Sequence, residues 1–230
     1  MEIEEVAALL FNGRIVDLSK KVTPGGAEGA PGAPPRRYEL EQFAFPPGEL
    51  MHYISMESHI STHLEAPSHF VPALYGRSAE DISEVALERV FGVGILVDCR
   101  DMAPGTAIGP EVLKGFGIRK GDIVLIGRCP HTGEDRCYLH RDGAAYLRDV
   151  GIKMVGFDDT VFVEHPEVRR KHLERYFTHD YMLSNGIPVI EQLAHLEDLT
   201  KPRFLFFGFP ARMGGLESFP IRAVAIEPRE

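Results

Sequence analysis

The stretch DIVLIG, residues 122–127, is a continuous apolar run that decides the fold class. Such a run is typical of a strand whose two faces are both buried in a sheet. Similar runs predict four further strands, at 94–99, 154–158, 204–207 and 222–226. Segments between these runs predict helices at 109–117, 142–150 and 166–176. This alternation predicts a mixed α/β fold, and a length of 230 residues favours a single domain over 1–230.

The N-terminal part of the chain predicts a short helix at 4–11 and a strand at 14–19. Residues 24–35, PGGAEGAPGAPP, are rich in small and turn-forming residues, which cannot pack into a core by themselves. We interpret them as a surface loop. Such a loop is either a lid over a site or a mobile connector.

Composition and charge exclude several functional classes. The net charge of −9 is offset by no stripe of lysine and arginine, so nucleic acid is not an expected partner. No apolar run approaches the length of a membrane span, and the first five residues are acidic where a signal peptide is basic. The three cysteines are a sparse, odd set, which is typical of reduced thiols in a cytoplasmic protein.

The segment SHISTHLEAPSHF, residues 58–70, concentrates the residues that carry chemistry. Within eleven residues it contains His59, His63, Glu65 and His69. Imidazole and carboxylate are common ligands for zinc, manganese and iron. A lone histidine is usually a core or surface group, but three beside a glutamate indicate a metal site.

The spacing of these four residues requires the segment to bend. In an extended chain they share one parity and point to one face, but full extension would spread them over roughly 33 Å. Donors to one ion lie within a few ångströms of each other. We therefore predict one bend near Ser61 and another near Pro67.

A second pair of candidate ligands, His179 and Glu191, lies downstream. His179 precedes a short helix predicted at 181–186, which Asn185-Gly186 would close. Glu191 ends an extended segment, although taken alone it also suits the start of the next helix. Taken with the first cluster, the pair supplies ligands for a second ion or completes the coordination of one.

Two cysteines and two histidines form a rival cluster, at Cys129, His131, Cys137 and His140. Their spacing matches no standard zinc finger, so we interpret this region as a loop with incidental thiols. The two histidines are candidates for contacting substrate.

Other patterns favour structural roles or exclude other enzyme classes. Asp158-Asp159 is expected to organise a turn, and His165 and His172 are expected to face solvent. The chain has no G-x-S-x-G elbow, which argues against a serine hydrolase, and no G-x-G-x-x-G after a strand, which argues against a Rossmann enzyme.

Several motifs resemble those of the cyclase-like metal-dependent hydrolases, the family of bacterial kynurenine formamidase and isatin hydrolase. The family pattern H-x-G-T-H-x-D-x-P-x-H is similar to HISTHLEAPSH at 59–69. The segment from His179 to Glu191 resembles the family element H-x-x-L-L-x-x-G-I-P-I-x-E. Further similarities lie at DLS 17–19, GDIVLI 121–126, VGFDDT 155–160 and GLESFPIR 215–222.

The resemblance implies roles for the candidate residues. His59, His63 and Glu65 would hold a first divalent ion, and Glu65 and Glu191 would bridge to a second ion that His179 also binds. The ions would be zinc or manganese, one or two per subunit. The fold would be a swivelling β/β/α-type domain with a mixed, barrel-like central sheet, assembled as a homodimer or homotetramer.

The resemblance also implies a reaction and exposes three departures from the pattern. A metal-bound hydroxide would cleave a small amide, lactone or ester, with His69 as general acid/base. Glu65 stands where the family has Asp, Ser61 where it has Gly, and Ser218-Phe219 where it has Gly-Ser. The alternative is therefore a family member that binds a metal or small ligand without turnover.

Overall fold

A computed structural model describes residues 2–25, 36–46, 48–70, 79–171 and 177–228. Its main feature is a sheet of nine strands that curls into a half-barrel. In chain order the strands are β1 (Arg14–Asp17), β2 (Tyr38–Phe45), β3 (Glu49–Met56), β4 (His63–Glu65), β5 (Phe91–Asp98), β6 (Ala107–Ile108), β7 (Ile123–Gly127), β8 (Tyr138–Leu139), β9 (Met154–Asp158), β10 (Val189–Leu193), β11 (Arg203–Phe207), β12 (Ser218–Pro220) and β13 (Val224–Glu227). The described helices are α1 (Ile3–Phe11), α2 (Pro110–Lys114), α3 (Arg141–Val150), α4 (Pro166–Lys171) and α5 (Phe177–Ser184).

The order of the large sheet is β1-β13-β11-β5-β7-β9-β10-β4-β12. The central strands β5, β7, β9 and β10 run parallel, and the outer pairs are antiparallel. The predicted mixed α/β fold with a barrel-like sheet is therefore confirmed. Strand β4 lies near one end of the sheet, between β10 and β12.

Alternate residues of β7 pack into two different parts of the core. Val124 and Ile126 lie in one buried cluster with helix residues such as Leu147 of α3. Ile123 and Leu125 lie in the cluster on the other face. Burial of both faces explains why this strand is a continuous apolar run in the sequence.

The strands β2 and β3 form a separate hairpin outside the large sheet. Its apolar side chains are unusually exposed, including Phe45 (58%), Leu50 (69%), Tyr53 (64%) and Ile54 (62%). An isolated two-stranded hairpin is only marginally stable in water, so this surface is a candidate for further contacts.

The predicted helix at 142–150 is confirmed as α3, which Gly151 ends in a left-handed conformation. The predicted helix at 109–117 is shorter in the structure, where α2 ends at Lys114. The helix predicted at 166–176 is described only as far as Lys171, and His172 lies outside the described residues. Residues 26–35 of the predicted loop also lie outside them.

The prediction that a helix begins after His179 was wrong, because α5 already begins at Phe177. The buried Glu164 explains the earlier start. Its Oε1 accepts hydrogen bonds from the backbone N–H groups of Thr178 and His179, which have no partner inside the helix. A carboxylate from a distant segment thus stabilises the first turn, and the local sequence gives no sign of it.

Among the described residues, no helix is both long and apolar enough to cross a bilayer.

Candidate metal and catalytic site

Strand β4 is the centre of the candidate site. It is buried at every residue, with β10 on one side and β12 on the other. In these antiparallel pairs Glu191 lies opposite His63, and Ser218 lies opposite Glu65. The sheet therefore brings three distant stretches of sequence to one place.

Two bends shape the segment on either side of β4, as the sequence predicted. Ser61 has φ of 60°, and its hydroxyl donates a hydrogen bond to the carbonyl of Lys20 at 2.7 Å. After the strand, Pro67–His69 forms one turn of 3₁₀ helix. The first bend returns His59 towards His63, and the second returns His69 towards Glu65.

Three donor atoms converge on the inner side of these bends. The Nδ1 atom of His59 lies 3.2 Å from Nε2 of His63 and 3.1 Å from Oε1 of Glu65. The distance from Nε2 of His63 to Oε1 of Glu65 is 3.5 Å. All three side chains are largely buried, and that of Glu65 is only 1% exposed.

The outer nitrogens of both rings face acceptors that hold no proton to give. Nδ1 of His63 lies 2.7 Å from the carbonyl oxygen of Ser61, and Nε2 of His59 lies 3.2 Å from Oε1 of Glu217. In the neutral ring of His63 the proton therefore sits on Nδ1 and leaves the Nε2 lone pair on the inner side. Both nitrogens of His59 face a carboxylate, Glu65 on the inner side and Glu217 on the outer side, so a cation bound on the inner side would leave the ring proton on Nε2.

Such a convergence of lone pairs fits a divalent cation. With zinc-to-ligand distances of about 2.05 Å, two ligands of a tetrahedral site lie about 3.3 Å apart. The three measured separations, 3.1, 3.2 and 3.5 Å, fall around this value. The donor set of two imidazoles and one carboxylate is also a common one for zinc and manganese.

A further histidine, His179, faces the second oxygen of Glu65 and one oxygen of Glu191. Oε2 of Glu65 forms a hydrogen bond with Nε2 of His179, which is 7% exposed. Glu191 lies between the two halves, with Oε2 3.9 Å from Nε2 of His63 and Oε1 3.9 Å from Nε2 of His179. Both carboxylates therefore face His63 with one oxygen and His179 with the other.

Protons neutralise this cluster when no cation is bound. Burial opposes the charge on His179, but the adjacent Glu65 carboxylate outweighs it and raises the pKa of His179 to about 9. Burial would raise the pKa of Glu65, but the charge and hydrogen bond of His179 hold it well below its usual range. Glu65 therefore stays ionised in this buried site, where a nearby positive charge stabilises it.

His69 lies at the rim of the cluster, with Nε2 3.9 Å from Oε1 of Glu65. Its ring centroid is 4.5 Å from that of His59 and 4.6 Å from that of Phe70. Burial lowers the pKa of His69 to about 4. The ring is therefore neutral at physiological pH and able to accept a proton.

Comparison with known proteins identifies the family. A family model described as "Putative cyclase" matches residues 6–165. The chain belongs to this Cyclase family.

Named relatives of this Cyclase-family chain include hydrolases. It is 22% identical to kynurenine formamidase of Bacillus mycoides (strain KBAB4) over 200 residues, which cover 84% of the chain and 88% of that protein. It is 25% identical to cyclase-like protein 1 of Oryza sativa subsp. japonica over 185 residues. That match covers 76% of the chain but spans only 64% of the rice protein's length.

Solved structures share the fold. Isatin hydrolase A from Labrenzia aggregata superposes with a TM-score of 0.79 at 20% identity, over 99% of both chains. A protein described as a potential metal-dependent hydrolase with cyclase activity gives a TM-score of 0.71 at 21% identity, over 94% of this chain and 99% of its own.

The structure brings all six predicted site residues of this Cyclase-family chain into one cluster; they are His59, His63, Glu65, His69, His179 and Glu191. Sequence reasoning missed two carboxylates that support them, Glu164 and Glu217. Glu217 lies in the GLESFPIR stretch, but only the pairing of β12 with β4 reveals that it lies beside His59.

The turn expected at Asp158-Asp159 is confirmed. The Asp158 carboxylate accepts hydrogen bonds from the backbone N–H groups of Arg128 and Thr160, so it is occupied in holding two loops together. His165 is half-buried rather than fully solvent-facing, because its ring packs edge-on against Tyr138 at 4.7 Å.

Proposed function

We propose that this protein is a metal-dependent hydrolase that cleaves a small amide, lactone or ester. The observation that carries the proposal is the convergence of three lone-pair donors, on His59, His63 and Glu65, beside a neutral His69. The hydrolases among its named relatives support the same class of reaction.

The donors divide naturally into two sets. His59, His63 and Glu65 would hold one divalent ion, and His179 with the second oxygens of Glu65 and Glu191 would hold another. The ion would be zinc or manganese, since imidazole and carboxylate suit both. A bound divalent ion would supply Lewis acidity, which lowers the pKa of water and polarises a carbonyl.

His69 would move the proton in this reaction. Because burial lowers its pKa to about 4, the ring is a free base at neutral pH and can take the proton of the attacking water. The same nitrogen would return that proton to the leaving nitrogen or oxygen. His59 and Phe70 pack against the ring and would keep it oriented.

A second candidate function is metal or small-ligand binding without turnover. Glu65 is one methylene longer than the Asp of the family pattern, and its carboxylate already faces four histidines. A shift of roughly one bond length, about 1.5 Å, is large for a bridging group. A displaced carboxylate still binds an ion but alters the arrangement on which turnover depends. This difference therefore supports binding without turnover as the second candidate.

Metal analysis followed by hydrolysis assays separates the two functions. We expect purified protein loaded with zinc or manganese to bind the ion and to hydrolyse at least one member of a panel of aryl formamides, isatin and small lactones. Tight binding of metal without turnover on the whole panel would overturn the hydrolase and support the binding protein. Absence of metal binding would overturn both.

We further propose a homodimer or homotetramer in the cytoplasm. The exposed apolar hairpin of β2 and β3 supports self-association, since contact with another subunit would cover Leu50, Tyr53 and Ile54. The three cysteines are free and buried, which suits a reducing compartment. Sedimentation analysis tests the assembly, and a monomer at micromolar concentration would refute it.

A further inference from the structure

The carboxylate of Glu217 contacts the ring of His59 on the side away from the cluster. Its Oε1 lies 3.2 Å from Nε2 of His59 and accepts a hydrogen bond of 2.6 Å from the hydroxyl of Ser58. The Glu217 backbone is fixed as well, because its carbonyl accepts a hydrogen bond from the N–H of Ala66 at 2.8 Å. This bond ties Glu217 to the residue directly after Glu65.

This contact matters because a neutral imidazole carries one proton and two different nitrogens. With the proton on Nδ1, His59 would point an N–H at the converging donors and could not bind an ion. With the proton on Nε2, the Nδ1 lone pair faces His63 and Glu65 at 3.2 and 3.1 Å. The carboxylates of Glu65 and Glu217 therefore compete for the ring proton from opposite sides, and a cation that neutralises Glu65 would leave Glu217 as its acceptor.

We propose that Glu217 is a positioning residue that holds His59 in the Nε2–H tautomer and so presents Nδ1 to the cation. The cation itself rests on the proposed function. An ionised carboxylate cannot donate a proton, so Glu217 stabilises the Nε2–H form, and the cation would replace the proton that Glu65 otherwise attracts to Nδ1. Such carboxylate partners also make a ligating imidazole more basic and fix the orientation of its ring.

Glu217 is poorly placed to be a ligand of the ion between His59, His63 and Glu65. Its Oε1 faces Nε2, which lies across the ring from the Nδ1 atom that points into the cluster. The same oxygen already interacts with the hydroxyl of Ser58 and with the ring of His59. The equivalent outer partner of His63 is the backbone carbonyl of Ser61, which substitution cannot remove.

The first test is zinc affinity, measured by competition with a chelator of known affinity. We expect Glu217→Ala to weaken zinc binding by about 10- to 100-fold, the usual effect of losing such a partner. Glu217→Gln keeps an acceptor oxygen and should lose less. Glu111→Gln removes the same charge from the exposed Glu111–Lys114 pair and should bind zinc like the wild type. Unchanged affinity in Glu217→Ala would overturn the proposal.

A double variant distinguishes positioning through His59 from direct ligation. In a His59→Ala background, adding Glu217→Ala should cause no further loss of affinity, because its effect passes through the missing ring. A further loss of similar size would show that Glu217 contacts the ion by itself and would overturn the proposal. Circular dichroism and thermal unfolding of each variant exclude loss of the fold as the cause.

Nitrogen-15 NMR of the histidine rings tests the tautomer directly, without activity and without metal. At a pH where the ring is neutral, Glu217→Ala should show a larger fraction of His59 protonated on Nδ1 than the wild type, because only Glu65 then attracts the proton. If the protein bound no zinc, the proposed function would fail while this measurement still tested Glu217. Identical tautomer fractions in the wild type and in Glu217→Ala would overturn the assignment.

Discussion

Two segments of this chain are rich in the residue types that bind metals, and they have opposite fates in the fold. The segment from His59 to His69 gathers its side chains around a common point. The segment from Cys129 to His140 contains two cysteines and two histidines, but these side chains make contacts that hold the fold together. Within the described residues, every group of three potential ligands draws on the first segment, and none includes a cysteine.

The contacts of the second segment explain the difference. The sulfurs of Cys129 and Cys137 are 3.4 Å apart, and burial raises the pKa of Cys137 to about 12. Because the thiolate is the form that binds metal, the Cys137 thiol is unsuited to it. Nε2 of His131 lies 2.8 Å from the carbonyl of Met102, and Nδ1 of His140 accepts the N–H of Asp142 at the start of α3.

The comparison shows that ligand density alone does not define a site. In the first segment the outer nitrogens face proton acceptors, so the inner nitrogens can offer lone pairs to a cation. In the second, Nδ1 of His140 is itself used as an acceptor, and burial favours the protonated form of the Cys137 thiol. The proton arrangement around each ring separates the two segments better than the residue types do.

The largest expected effect is the loss of metal from His63→Ala. His63 is fully buried, and its Nε2 faces both Glu65 and Glu191, so no nearby group replaces it. We expect zinc affinity to fall more than the roughly 100-fold upper range of outer partners. Metal content after gel filtration measures this. His131→Ala is the matched control in the other segment, and it should retain full occupancy; equal losses in both would erase the distinction between the segments.

The next effect is on rate. We expect His69→Ala to keep its metal and to lose about 10²- to 10⁴-fold in turnover, the usual contribution of a general acid/base. Steady-state kinetics on any substrate found in the panel, with metal content measured in parallel, checks both. His140→Ala should change turnover little. Retention of activity in His69→Ala would show that the proton passes through another group.

A third prediction concerns the stability of the metal-free protein between pH 6.5 and about 8. The pKa of His179 rises to about 9 in the fold, above its usual 6.5. Its contribution is therefore complete below pH 6.5 and is lost as the pH rises through about 9. The pKa of His59 is raised too, since Glu65 outweighs its burial, and adds an effect of the same sign.

We expect the free energy of unfolding by urea to fall over this range, by about 2 kcal/mol or less for His179 alone. Bound zinc should flatten the profile, because the cation replaces the protons. The Cys137 thiol should contribute nothing over this range, since burial raises its pKa and keeps it protonated. A profile that is equally steep with and without zinc would contradict this account.

The sequence identified much of the site because neighbouring ligands are a local signal. His59, His63, Glu65 and His69 lie in one short segment, and the need for two bends followed from distance alone. The central strands were equally clear, because burial of both faces leaves a continuous apolar run.

The missed features all depend on contacts between distant segments. Glu164 precedes His179 by fifteen residues, and Glu217 follows His59 by 158. Each is an ordinary glutamate in its own neighbourhood. Only the pairing of β12 with β4, and the docking of α5 against Glu164, give them their partners.

The two segments also share a backbone feature, because a residue with positive φ that is not glycine lies within the first segment and directly before the second. Ser61 has φ of 60° and Arg128, directly before Cys129, has φ of 65°. The side chain of Arg128 pairs with Asp98 at 2.8 Å and donates to the carbonyl of Leu199 at 2.6 Å. Arg128→Gly should therefore destabilise the protein, because the lost contacts outweigh the relief of backbone strain. The side chain of Ser61 has less to lose, since its hydroxyl makes a single hydrogen bond, to Lys20.

The smallest predicted effect is a difference between two variants of Ser61. A left-handed conformation costs a residue with a Cβ roughly 1–2 kcal/mol, and glycine avoids this cost. Ser61→Ala and Ser61→Gly lose the same hydrogen bond to Lys20, so comparing them isolates the backbone. Glycine also gains freedom in the unfolded chain, which offsets about half of the benefit. We therefore expect Ser61→Gly to be about 1 kcal/mol more stable than Ser61→Ala in urea unfolding. If alanine were equally stable, the bend that brings His59 to His63 would not depend on positive φ.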